Sequence, residues 1–165
     1  MRSRDETQRS QRHSVDRYGD DDGGAQLMAL DTGLAAILLL VGRVLFGGIL
    51  TFQGLNHFMN AEEMTGYAEM KGLLAPGFNV IASGVMLVLG GLGILLGVYP
   101  ALAAGMAATF LVVAAFTMHD FWAVPEEQQQ DEITNFLKNV ELAGAALVFL
   151  ALSGETWAYA VGMTL

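Results

Sequence analysis

The chain has 165 residues, room for one domain, and only 15% of them are charged, against roughly 25% in an ordinary soluble domain. Its formal net charge of -9 argues against nucleic acid as a partner. The lack of cysteine excludes disulfides, thiolate metal sites and cysteine redox chemistry within the chain.

Residues 1–32 are polar and show no apolar periodicity, which predicts a disordered N-terminal tail with the run DDDGG at 20–24 as a hinge. No apolar core follows the early arginines until residue 34, so the stretch does not read as a signal peptide. Residues 33–165 read as a transmembrane domain. From residue 78 to residue 118 there is no Asp, Glu, Lys, Arg or His, a run of 41 residues. As one helix it would be roughly 60 Å long, twice the ~30 Å hydrocarbon core. Two passes joined by the turn GVYP at 97–100 account for it. The expected fold is all-α: an integral membrane four-helix bundle with helices at about 34–55, 78–98, 101–118 and 136–154.

The fourth helix is the least regular. Its uncharged stretch, 142–153, is 12 residues, too short to span, so it is expected to begin near Phe136 and to carry Lys138, Asn139 and Glu141 in its outer turns. Trp157 and Tyr159 then fall in an interfacial aromatic belt. Gly93 with Gly97, and Ala101 with Gly105 and Thr109, have the four-residue spacing of small residues that lets helices pack closely in lipid. Between helices 1 and 2, Asn60 and Glu63 suggest a capping box and Gly72 a C-terminal cap. Met64, Tyr67 and Lys71 share one side. This predicts a short interfacial helix over about 61–71.

Lysine and arginine in the flanks set the orientation. The tail carries Arg2, Arg4, Arg9, Arg12 and Arg17, while the only lysines are Lys71 and Lys138. This places a multi-pass protein in the cell membrane with both termini cytoplasmic. The low lysine content and excess of acid are halophile-like. By parity, the exits of helix 1 (Asn56, His57) and helix 3 (His119, Asp120, Trp122) and the entry of helix 4 (Lys138, Asn139, Glu141) share the outer face. Arg43, near the middle of helix 1, shares a helical face with Gly47, Leu50, Gly54 and His57. Glu141 is its expected acidic partner, since a charge at that depth faces the bundle. In the run MHDFW, His119 and Asp120 would lie about 100° apart on a helix, so one of them, His119, is expected to meet His57 and Glu141. Phe121 and Trp122 are expected to anchor the interface, with Pro125 blocking further helix.

The stretches GRVLFGGILTFQGLNHF (42–58), GVMLVLGGLGILLGVYPALAA (84–104), HDFW, and FLKNVELAGAALVFLALSG (136–154) resemble the DoxX family of small four-helix membrane proteins. The resemblance runs from about residue 36 to residue 154. It implies the fold and a membrane location. It also implies association with redox enzymes, since the family takes its name from a subunit associated with thiosulfate:quinone oxidoreductase and a terminal oxidase. Many family members carry an acidic residue in helix 2 before the glycines; here residues 86–89 are apolar.

Three functions fit these residues. In a redox-linked subunit with quinone as candidate cofactor, Arg43 and Lys138 would be the positive groups, His57 or His119 the proton donor, and Asp120 or Glu141 the orienting carboxylate, with Asn139 beside them. In a non-catalytic anchor or assembly partner, the polar end would dock other membrane or redox subunits. In a haem or copper protein, His57 and His119 would be ligands at the outer face, with methionines nearby.

Overall fold

The computed structural model describes residues 32–163. The expected tail lies outside the described residues apart from Thr32. The elements are α1 (Gly33–Met59), α2 (Ala61–Met70), α3 (Pro76–Leu96), α4 (Pro100–Met118) and α5 (Glu126–Ala151), the last closed by a 3₁₀ turn, Leu152–Gly154. Among the described residues four helices are long and apolar enough to cross a membrane, and α2 is the short helix between the first two. No strand forms among the described residues, and the fold is the all-α membrane bundle expected from the sequence.

Prolines and left-handed residues punctuate the chain. Pro76 and Pro100 open α3 and α4, where a missing N–H costs nothing. The residue before each is left-handed: Ala75 at φ 48° and Tyr99 at φ 45°. A side chain in that region costs about 1–2 kcal/mol. Both tight turns therefore hold a small strain, which helix packing offsets. The C-terminus of α2 is as expected. Gly72, at φ 72°, donates to Glu69 and Leu73 donates to Ala68, the paired bonds of a Schellman cap. The capping box at its start does not form: the Asn60 side chain turns back onto the Asn56 side-chain oxygen at 2.7 Å instead.

α1 packs on α3, α3 on α4, and α4 on α5. The α1–α3 seam is glycine against glycine. A Cβ on Gly47 would lie 2.5 Å from the Gly91 carbonyl, and one on Gly54 would lie 2.8 Å from the Gly84 carbonyl. Hydrocarbon gives helices no hydrophobic reason to associate, so this closeness supplies the contact through van der Waals packing. The expected Ala101–Gly105–Thr109 stripe is not a packing face: space around Gly105 is open, and α4 buries Ala103, Ala104, Ala107 and Leu111 instead.

α5 begins ten residues before the expected position. Its first turns are polar and were read as loop because helix was inferred from apolarity. Pro125 does not end a helix but caps this one, and Glu126 and Glu127 in the first turn suit the positive end of the helix dipole. The 26 residues of α5 make about 39 Å of helix, more than the ~30 Å core, so its first turns rise beyond the apolar layer.

Arg43 is fully buried, on the expected face with Gly47, Leu50 and Gly54. Its partner is not Glu141. Nε donates to the Ile94 carbonyl at 3.0 Å, Nη2 to Leu95 at 2.8 Å and Nη1 to Ala158 at 2.8 Å. The guanidinium also lies 5.3 Å from the Trp157 ring centre. The negative end of the α3 dipole and two of its unpaired terminal carbonyls replace a carboxylate. Trp157 is thus no belt residue. It is buried, donates Nε1–H to Leu152 at 2.8 Å and packs on Phe149. Tyr159 is exposed. The residues after α5 run back along the α3–α4 turn, with Val161 donating to Leu96 and Tyr99 to Met163.

Candidate functional site

At the end opposite Arg43, the helices part and leave a cavity of about 680 Å³. α1 and α3 wall it with Phe52, Val80 and Leu87, α4 with Phe110 and Val113, and α2 lies across its end with Met64, Tyr67 and Ala68. Polar groups reach it from several helices: Gln53, Asn56, His57, Asn79, His119 and Asn139. None of the described residues lining it is Asp, Glu, Lys or Arg.

Each imidazole has one nitrogen committed. His57 Nδ1 is 2.9 Å from the Gln53 carbonyl, which can only accept, so Nδ1 carries the proton. His119 Nδ1 is 2.8 Å from Glu132 Oε2, and an ionised carboxylate likewise takes the Nδ1 proton. In both rings Nε2 is left as the reactive nitrogen, an acceptor when neutral and a donor when charged.

Glu132 joins the cavity wall to a charged rim. Its Oε1 is 3.2 Å from Lys71 Nζ, and Lys71 also meets Asp120 Oδ1 at 2.6 Å. The Tyr67 hydroxyl lies 3.4 Å from both Glu132 Oε1 and the Met118 carbonyl. Lys71, Asp120 and Glu132 side chains are 12%, 28% and 14% exposed, too covered for this to count as a surface ion pair. Burial pulls the Lys71 ammonium down, but its hydrogen bonds to Asp120 and Glu132 outweigh this and hold its pKa above the ordinary value. The hydrogen bond from Lys71 holds the Asp120 carboxyl below its own.

His57, His119, Asp120 and Asn139 therefore gather at this end, while Arg43 lies at the other. His119 pairs with Glu132 rather than Glu141; Glu141 and Lys138 are exposed on α5 and line no part of the cavity. His119 and Asp120 both find partners because α4 ends at Met118, which frees them from the 100° helical offset. Glu132, Lys71 and Tyr67 were not read as site residues. For Glu132 a signal existed: it sits among Gln129, Ile133 and Phe136 on the half-buried side of α5, at helical spacing, where a carboxylate needs a partner. Phe121 and Trp122 join Phe116 and Phe136 in an aromatic cluster beside this rim, with Trp122 exposed as an interface anchor would be. No group of three His, Cys, Asp or Glu among the described residues converges as a metal site would require.

The family model described as DoxX matches residues 38–120. The chain belongs to the DoxX family. The match runs from within α1 through the end of α4 and stops at Asp120, so the DoxX stretch holds His57, Lys71, His119 and Asp120. Glu132, Asn139 and the 136–154 stretch that contributed to the resemblance lie beyond it. No curated protein and no solved structure matches the chain.

Proposed function

We propose that this DoxX protein is a redox-linked membrane subunit whose cavity receives a quinone-type amphiphile, and that the end carrying α2 faces outward with both termini cytoplasmic. The observation that carries the reading is the uncharged, mostly apolar cavity with two histidines in its wall. Its volume of about 680 Å³ is in the range of small-molecule sites. A neutral ring suits it; a sulfur oxyanion would find no cation there. Nε2 of His57 or His119 would hydrogen-bond a ring oxygen and exchange its proton, and Asn56 or Asn139 would orient the ring. An apolar tail would leave along Thr109, Val113 and Thr117, which line the cavity and are exposed. The orientation rests on the arginines of residues 1–32. Other redox subunits would supply or accept the electrons.

The test is chemical. Protein purified in mild detergent is extracted with organic solvent and assayed for quinone, and quinone reduction is followed in membranes with and without the gene. Bound quinone that disappears in the His57→Ala/His119→Ala variant, with slower membrane quinone reduction, is the expected result. Membranes lacking the protein that reduce quinone at the parental rate overturn the reading and leave an anchor or assembly partner.

A further inference from the structure

We infer that α2 is a hinged cover over the cavity, and that Lys71 is the catch that holds it shut. The inference rests on the reading above only in that the cavity receives a molecule. Beyond its packing along α3, α2 has few contacts to hold it. It buries one residue fully, Ala68, yet supplies Met64, Tyr67 and Ala68 to the cavity wall. Its polar fastenings to the far side of the bundle all leave its C-terminal half. Lys71 reaches Asp120 and Glu132, and Tyr67 reaches Glu132 and the Met118 carbonyl. All three ion pairs among the described residues belong to this cluster.

Both ends of α2 are jointed. Asn60, between α1 and α2, leaves the helical conformation at φ -118°, ψ 32°. Gly72 and Ala75, between α2 and α3, are left-handed. A rotation there changes a few dihedrals and leaves the glycine seam of α1 and α3 untouched. The catch also touches the cavity's own chemistry, because the carboxylate that holds Lys71 holds His119 Nδ1 with its other oxygen. Lifting α2 would remove a cation from Glu132 and join the uncharged cavity to water in one movement. The charge on the rim and the absence of charge inside are then two sides of one boundary.

A chain without cysteine permits a direct test. Ser83, in the cavity wall on α3, is changed to cysteine and the protein placed in lipid nanodiscs, where both faces meet a membrane-impermeant maleimide. Labelling is expected to be slow, and about tenfold or more faster when Lys71→Gln is added. Lys71→Arg should restore slow labelling, and Glu62→Gln, an exposed carboxylate outside the cluster, should leave it unchanged. Hydrogen exchange read alongside should rise in α2 and not in α1 or α3. A labelling rate that Lys71→Gln leaves within twofold overturns the cover, and so does exchange that rises equally in all three helices. Neither readout depends on quinone, so the cover and the redox reading fail separately.

Discussion

His119 and Glu132, on either side of the α4–α5 connection, meet with Nδ1 2.8 Å from Oε2. One carboxylate thereby joins an imidazole in the cavity wall to the lysine of α2. Removing it should be felt by all three elements. Glu132→Gln keeps the shape and loses the charge, and Glu132→Ala loses both. A hydrogen bond to a charged group contributes about 1.5–3 kcal/mol, so the melting temperature in detergent should fall by roughly 3–10 °C, more for Ala than for Gln. Two variants that melt with the parent would show that the cluster holds nothing together.

The Lys71–Asp120 pair sets a pH window. Asp120 titrates below its usual 3.8 in the folded protein, so its contribution is present above that value and is lost as pH falls through the lowered one. Lys71 titrates above its usual 10.5, so its contribution is present below that value and is lost as pH rises through the raised one. The part of the stability difference between parent and Lys71→Gln that comes from this pair should shrink at both extremes of pH. A difference that keeps its full size through strongly acid and strongly alkaline pH would contradict this assignment.

Arg43 carries a prediction about stability alone. Its three carbonyl partners cannot be met by one ammonium, and Arg43→Met leaves them without a donor in a dry interior. Arg43→Met should cost on the order of 3–5 kcal/mol and Arg43→Lys somewhat less. Thermal melting and limited proteolysis after residue 154 would measure it, with cleavage of the C-terminal residues rising first. Full resistance in Arg43→Met would contradict the staple.

The glycine seam gives a paired test. Gly47→Ala and Gly54→Ala place a methyl within 2.8 Å of α3 backbone, while a Cβ on Gly48 meets nothing within 4 Å. The first two should destabilise by about 1–3 kcal/mol. Gly48→Ala should be neutral or stabilise slightly, since alanine favours helix by up to about 1 kcal/mol. Equal effects at Gly47 and Gly48 would rule out close approach as the cause.

The four spans were legible because lipid forces a crude code, in which long uncharged runs must be helices. Side-chain destinations were less so. Arg43 was given a carboxylate because charge suggests opposite charge, yet the end of a helix offers the same sign of potential through backbone atoms that no sequence motif marks. Glu132 was missed for the opposite reason. Hydropathy says nothing about helix outside the apolar layer, and the first turns of α5, which carry Glu132, are polar. The run HDFW was placed at a polar exit, and the structure puts His119 and Asp120 there, but their partners come from α2 and the first turns of α5, whose positions depend on tertiary packing.

The Arg43 staple also orders events during synthesis. The charge lies in α1, two of its acceptors belong to the next span, α3, and the third, Ala158, follows α5 and is made only after all four spans. Until residue 158 has been made, the guanidinium lacks one of its acceptors and must be tolerated by lipid, the insertion machinery or a water defect. The bundle is then locked by a residue that follows its fourth span, and a ribosome that stops before residue 158 releases a chain in which α1 still lacks one of the three acceptors of its buried cation.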